Sequence, residues 1–269
     1  NKGLEISLNA DVIRTSKFQW TSDFNIGFNR NRVTELYGGK PELKGLKRLE
    51  EGRDMDEWYL REWAGVDPAN GSPLWYTTDE NGKRTTTDSY NKADRVYCGS
   101  AAPKFTGGWM NSFSYKGFTL TANFDFVYGN LLYNQSRELL DSDGAYADYN
   151  SMKLKSGWKR WEKEGDIATH PKAINGGNKN SNKSSSRYLE KGNYFSLRNL
   201  SLGYSIPEKL CGKLGLQRVN VSCSADNLFT SYPYSSGVSP QLSDSSTDGY
   251  AGTIYPLSRR IVFGLNVSF

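Results

Sequence analysis

Gly117-Phe118-Thr119-Leu120-Thr121-Ala122-Asn123-Phe124-Asp125-Phe126-Val127-Tyr128 is the stretch that decides the fold class. One parity reads Phe118, Leu120, Ala122, Phe124, Phe126 and Tyr128. The other reads Gly117, Thr119, Thr121, Asn123, Asp125 and, as its only large apolar residue, Val127. Successive side chains of a strand point to opposite faces, so this is a strand with one oily face and one wet face. Its length matters as much as its pattern. Strands of soluble proteins run to about five or six residues, whereas a tilted strand crossing a bilayer needs roughly 9–11.

The same pattern recurs along the chain. In residues 3–14, Leu4, Ile6, Leu8, Ala10 and Val12 oppose Glu5, Ser7, Asn9 and Asp11. In residues 17–30, Phe18, Trp20, Phe24, Ile26 and Phe28 oppose Gln19, Thr21, Asp23, Asn25 and Asn29. In residues 258–269, Ile261, Phe263, Leu265, Val267 and Phe269 oppose Arg260, Val262, Gly264, Asn266 and Ser268. Residues 105–115, 117–128, 194–206 and 216–226 complete a set of seven strands. The segment 194–206 is less regular, with Leu200, Leu202, Tyr204 and Ile206 on one parity and Phe195 and Leu197 on the other. Aromatics such as Phe18, Trp20, Trp109, Tyr128, Tyr194 and Tyr204 gather near strand ends, as the interfacial girdles of membrane barrels require. The connections alternate short and long. Thr15-Ser16, Lys116-Gly117 and 207–215 are short, whereas 31–104, 129–192 and 227–257 are long. Bacterial outer-membrane barrels have that rhythm, with short periplasmic turns and long extracellular loops. The expected class is therefore an all-β, transmembrane antiparallel barrel whose last strand ends in the periplasm.

Composition agrees. Hydrophobic residues reach only 36% and mean hydropathy is −0.68, yet aromatics are 13% with 27 Gly. Disordered chains are poor in aromatics, and a barrel with a wet lumen is polar without being disordered. No run of about 20 apolar residues exists to make a membrane helix, but a closed barrel is the other way to satisfy backbone groups in lipid. The chain opens directly on a strand, which reads as a piece of something longer. The net charge of +5 is spread among 29 acidic residues. The densest basic stretch, Lys153 to Lys163 with Trp158 and Trp161, reads as a solvated amphipathic loop helix rather than a nucleic-acid site. Cys98, Cys211 and Cys223 form no paired motif, and with one histidine, His170, a zinc site is not expected. His170 reads as a plain loop residue.

The long connections carry local signals of their own. Leu74 to Thr78 and Lys83 to Thr87 flank Asp79-Glu80-Asn81-Gly82, an Asn-Gly hairpin turn. Ser136 to Asp141 and Met152 to Glu164 are expected as short helices. Residues 175–186 are low in complexity and expected to be mobile.

Several stretches resemble one family. Gly192 to Pro207 (Gly-Asn-Tyr-Phe-Ser-Leu-Arg-Asn-Leu-Ser-Leu-Gly-Tyr-Ser-Ile-Pro), Ala225-Asp226-Asn227-Leu228-Phe229-Thr230, Tyr255-Pro256-Leu257-Ser258-Arg259 and Phe263 to Phe269 are similar to successive elements of the SusC/RagA family of TonB-linked outer-membrane proteins. Gly3 to Leu8, Phe18 to Thr21, Asn29 to Leu36 and Tyr59 to Pro68 resemble earlier elements in the same order. The resemblance spans nearly the whole chain. It implies the C-terminal portion of a TonB-dependent transporter, a barrel of roughly 22 strands around a plug. It also implies a SusD-like lipoprotein as lid, TonB acting through the plug-bearing part, outer-membrane lipid as surroundings, a dimer of transporter–lid pairs, oligosaccharide or peptide cargo, and a host among the Bacteroidota. Nothing in the chain looks like a plug. Seven strands cannot close, and an open edge in lipid leaves backbone groups unsatisfied, so the chain is expected to complete its barrel with other residues.

No catalytic residue, cofactor or metal is expected. Asp141-Ser142-Asp143-Gly144 hints at a calcium loop but lacks the alternating oxygens and later Glu that such a loop needs, so an Asp-rich turn is the expectation. Asp244 and Asp248 are weaker still. His170 before Pro171 has no nucleophile elbow to serve. The loop aromatics Trp58, Tyr59, Trp63, Trp75 and Tyr76, with Tyr232, Tyr234, Tyr250 and Tyr255, are placed to stack on sugars or a peptide. Packing loop on loop, or holding the lid, is the stronger claim on them. The C-terminal run Phe263, Leu265, Val267 and Phe269 resembles the signal read by the barrel-assembly machinery. The function expected is wall and mouth of an energised importer of large nutrients. The competing class is a surface glycan-binding β-sandwich without transport.

Overall fold

The computed structural model describes residues 1–233, 235, 241, 249–251 and 257–269. Seven long strands form one antiparallel sheet: β1 (Lys2–Arg14), β2 (Phe18–Arg30), β3 (Phe105–Tyr115), β4 (Phe118–Tyr128), β5 (Tyr194–Ser205), β6 (Arg218–Ser231) and β7 (Arg260–Ser268). Their order in the sheet is their order in the chain. The meander leaves β1 and β7 as open edges, so this chain does not close a barrel by itself. Its turns at one end are Thr15 to Lys17, Lys116-Gly117 and the segment holding the short helix α2 (Glu208–Gly212). All three long connections leave from the other end.

Register carries the oily face across every strand. Leu8 pairs with Phe24, Phe24 with Trp109, and Trp109 with Phe124. On the far side Leu120 pairs with Leu202, Leu202 with Cys223, and Cys223 with Phe263. These side chains are not buried under a second layer: Leu8 is 60% exposed, Phe263 80% and Leu265 70%. A β-sandwich would cover that face with another sheet, and among the described residues none does. The sandwich expectation is therefore set aside on geometry.

The mixed parity of β5 has a local cause. Asn199 faces Asn123 and Leu197 faces Phe124, so Arg198 is an extra residue bulged out of the ladder. The bulge returns Phe195 and Leu197 to the side of Leu200 and Leu202, because one inserted residue flips the alternation. β6 answers with its own irregularity between Asp226 and Phe229. There Asn227 takes φ 55°, a left-handed conformation that Asn tolerates better than most residues, and its Nδ2 donates to Ser258 O at 3.0 Å. Beyond the bulge β6 runs on to Ser231, five residues past the segment that alternation marks out.

Polar groups on the oily face are neutralised pairwise. Asn111, 5% exposed, accepts from Trp20 Nε1 at 3.0 Å, and Ser22 Oγ accepts from Trp109 Nε1 at 2.9 Å. In a medium without water a bare amide or hydroxyl is costly. The indole N–H groups remove that cost. Gly107 sits on the same face because Phe126 lies across it toward Phe24; a Cβ there would come within 2.5 Å of the Phe126 ring. The wet face carries its own network. Arg198 pairs with Asp125 at 3.3 Å, Asn199 donates to Asp226 at 2.7 Å, and Arg260 Nε donates to Asp226 at 2.9 Å.

The long connections form a cap with secondary structure of its own. Glu42–Lys44, Lys47–Leu49, Glu57–Arg61 and Arg95–Ser100 make one small sheet, and Trp63–Val66, Pro73–Thr78 and Arg84–Thr87 a second. The latter contains the Asn-Gly hairpin, with Thr78 opposite Arg84. Leu131–Asn134 joins Leu189–Lys191 and Tyr250–Ala251 in a third. Helix α1 spans Gln135–Leu140. Two expectations fail here. Residues 152–164 form no helix: Gly157 turns at φ 84°, and Asp166 accepts from the Glu162 and Lys163 amides, holding an open loop. Residues 175–186 are not loose. Asn178 is 3% exposed, and Ser181 and Ser185 are fully buried. Asn178 Nδ2 donates to Gly71 O and Lys172 O, tying the segment to the first loop.

Candidate functional site

The cap is where functional side chains collect, and it is built around two cores of opposite chemistry. The apolar one centres on Trp58, Leu60, Tyr133 and Tyr188, packed by Leu46, Leu131 and Tyr250. Trp58 meets Tyr250 edge-on at 5.2 Å and donates from Nε1 to Leu131 O at 2.9 Å. That one residue thus staples all three long connections together.

The polar core lies in the second connection. Arg137 donates to Asp141 Oδ2 at 2.9 Å and to Glu190 Oε1 at 3.0 Å. Asp143 receives Arg160 Nη1 at 2.7 Å, both outer nitrogens of Arg187, and Ser181 Oγ at 2.7 Å. The Asp141 and Asp143 carboxylates are about as buried as side chains can be, at 1% and 0% exposure. Burial would raise the Asp141 pKa, but the His170 hydrogen bond and the nearby Arg187 and Arg137 charges outweigh it and hold it at about 2. Buried charges persist only when paired and hydrogen-bonded. These are.

His170 sits in a loop, as expected, but is not idle. It is 2% exposed, with Nε2 3.0 Å from Asp141 Oδ2 and Nδ1 2.8 Å from Thr169 Oγ1. A carboxylate only accepts, so Nε2 carries a hydrogen. Trp158 packs on the ring at 4.8 Å. The Asp-rich turn expected at 141–144 is thus a charge-bound corner, with Asp143 at φ 52°. No group of metal-ligand residues assembles among the described residues. Nor does the cap offer a reactive thiol, because burial pushes the Cys98 pKa up to about 11.

The aromatics marked out in the sequence divide by exposure. Trp58 and Trp75 are fully buried and have no ring surface to offer a ligand from this chain. Tyr250 is half-buried and its hydroxyl accepts from Leu46 N at 3.2 Å. Four others keep partial access. Tyr59 leans on Tyr97 with Arg48 over its ring at 4.9 Å. Trp63 meets Trp75 edge-on beneath Arg187. Tyr76 lies under Arg84 at 3.8 Å, and Tyr232 packs on Leu132 and Ala251. Tyr234, Tyr255, Asp244 and Asp248 fall outside the described residues. Of the C-terminal run, Phe263 and Leu265 stand on the oily face of the edge strand β7, Val267 is half-buried there and Phe269 is 83% exposed. Sequence reading missed Arg137, Arg160 and Arg187; the Arg137–Asp141 pair has i,i+4 spacing that could have signalled it, whereas Glu190 and Asp143 lie too far along the chain from their arginines for a spacing rule to reveal.

A sheet of bilayer-length strands, oily outside and wet inside, with its loops gathered at one end, is a wall section of an outer-membrane β-barrel. Comparison with known proteins makes the class narrower. No protein-family model matches the chain. TonB-dependent receptor P3 of Formosa agariphila is 30% identical over the whole chain, which covers 28% of that protein. TonB-dependent receptor P39 of the same organism is 28% identical, with 30% of its length covered. Among solved structures, the RagAB peptide importer in its closed-closed state superposes with TM-score 0.83 at 26% identity over 99% of this chain and 29% of that one. The chain is thus similar to the C-terminal part of TonB-dependent receptors and of the RagAB importer. It spans under a third of the length of the relatives it matches, and its place is the outer membrane.

Proposed function

We propose that this chain is wall and mouth of a TonB-dependent importer of large nutrients, one segment of a barrel of roughly 22 strands. The supporting observation is the division of labour in the structure: a seven-strand wall with a continuous lipid-type face, and a rigid cap at the end where bacterial barrels place extracellular loops. Likeness to a structure named a peptide importer adds weight. On this reading the plug and remaining strands lie elsewhere in the transporter, TonB works through the plug, and a SusD-like lipoprotein docks on the cap. The half-exposed rings of Tyr59, Trp63, Tyr76 and Tyr232 are the surfaces for cargo or lid. The cargo is an oligosaccharide or peptide, and Phe263, Leu265, Val267 and Phe269 serve barrel assembly.

Mass spectrometry of the complex extracted in detergent from outer membranes tests the reading. A plug-bearing polypeptide and a lipoprotein should co-purify with these residues. A chain that is alone and soluble without detergent would sink it.

A further inference from the structure

A groove of about 920 Å³ opens where the oily face meets the cap. Its floor is Leu4, Phe28, Phe105 and Leu131, its rim Arg30 and Lys104. Phe28 and Phe105 face each other at 5.8 Å, and Phe105 stacks on Tyr128 at 5.1 Å, making an aromatic band at that level. Leu4 pairs with Phe28 in the ladder, so the floor continues the lipid-type face. Arg30 follows Phe28 by two residues on the same parity. It stands one strand repeat further out, roughly 7 Å beyond the band.

Two features of the rim call for a ligand. Neither Arg30 nor Lys104 has an ion-pair partner among the described residues, although most arginines of the cap do. The one carboxylate lining the groove, Asp54, is already engaged: it accepts from Ser100 Oγ at 2.8 Å and from the Asp56 amide at 2.9 Å. The groove is therefore apolar below and cationic above, at the depth where hydrocarbon gives way to headgroups. That is the complement of an acylated amphiphile with an anionic head, and the face it opens on is the one in contact with lipid. We infer that this groove seats a phosphorylated lipid of the outer leaflet, with acyl chain on Leu4, Phe28 and Phe105 and phosphate between Arg30 and Lys104. The inference rests on the membrane-wall reading above, and it makes a lipid part of the importer's structure where strand β2 enters the cap.

The test uses the whole transporter complex. Complex purified in mild detergent is analysed by native mass spectrometry for retained phospholipid, beside R30Q/K104Q, the charge-keeping R30K/K104R, and Lys163→Gln as a distant control. Retention should fall roughly tenfold in R30Q/K104Q, as expected for two cations near an anionic headgroup, and persist in the other two. Equal retention in all four overturns the proposal. Should R30Q/K104Q fail to assemble, the unaltered complex is moved into nanodiscs of phosphatidylcholine with a minor fraction of phosphatidic acid. Enrichment of phosphatidic acid in the bound shell supports the site; equal partition of both lipids refutes it. Loss of retention in a complex that still sits in the outer membrane with its partners leaves the importer reading intact, so the two failures are distinguishable.

Discussion

Asp143→Asn isolates what holds the mouth of this wall rigid. The substitution keeps shape and tolerates the residue's positive φ, since Asn accepts that conformation as readily as Asp, but removes the charge that Arg160 and Arg187 share. The two arginines respond differently. Arg160 is 26% exposed and can turn toward water, whereas Arg187 is 3% exposed and cannot. Its remaining anion is Asp141, at 3.4 Å. Removing one partner of a buried pair costs about 3–5 kcal/mol, and the residual Asp141 contact argues for the lower end. Each 1.4 kcal/mol is a factor of ten, so local opening should rise roughly a hundredfold. Hydrogen exchange on the detergent-solubilised complex reads this directly: peptides covering 139–147 and 177–191 should lose protection, with sheet peptides 118–128 as the internal reference. Adding Arg187→Met should restore much of it, because a neutral, apolar pair needs no compensation. A change under about threefold in D143N, below what one ordinary hydrogen bond contributes, would refute the view that these charges fasten the second loop.

Four further outcomes are expected. Asp141 is held at about 2, below its ordinary 3.8; a lowered pKa stabilises above the unfolded value and the gain is lost as pH falls through the folded one. Protection of 139–147 should hold from neutrality to about pH 4 and decay from there toward pH 2, a profile that D141N should flatten. Phe124→Arg, on the lipid face at mid-strand, should cost about 2–4 kcal/mol, while Asn123→Arg on the wet face should leave the folded fraction unchanged on heat-modifiable gels. Asn227→Val should lower the temperature of the gel-shift transition, since a left-handed β-branched residue costs about 1–2 kcal/mol or more, and Asn227→Gly should not. Trp58→Ala should cost about 3–5 kcal/mol, read as faster proteolysis within 31–104 and a weaker grip on the proposed lipoprotein lid.

The wall was legible because its rule is local. Period-two alternation needs no knowledge of neighbours, and Phe118 to Tyr128 states it within one strand. Even the apparent fault at Phe195 and Leu197 was a true signal, the trace of an extra residue at Arg198, readable once a bulge is allowed for. The cap obeys another logic. His170 looked like an idle loop residue and residues 175–186 like a polar tether. Their partners, Asp141, Asp143, Gly71 and Lys172, lie in other segments, and no periodicity links them. A run such as Asn-Lys-Asn-Ser-Asn has the composition of a linker but the side chains to satisfy buried carbonyls and carboxylates. Composition cannot tell these uses apart.

The distribution of cores follows from the solvent on each side. A sheet facing lipid needs no apolar core behind it, because hydrocarbon itself receives Leu8, Phe124 and Leu265, and the ladder satisfies the backbone groups of paired residues. The cap has no such surroundings. It must hold long connections above the membrane in water, and it does so by burying Trp58 and Trp75 and locking three arginines onto three carboxylates. Loops that merely linked strands would have no reason to bear the desolvation of six charged groups. A cap that must keep a defined shape, as the proposed mouth of an importer must, would. The most heavily cross-braced part of this chain is therefore its loops, the part that usually varies most freely, and that bracing is the physical support for the proposal that the cap, rather than the wall, carries recognition.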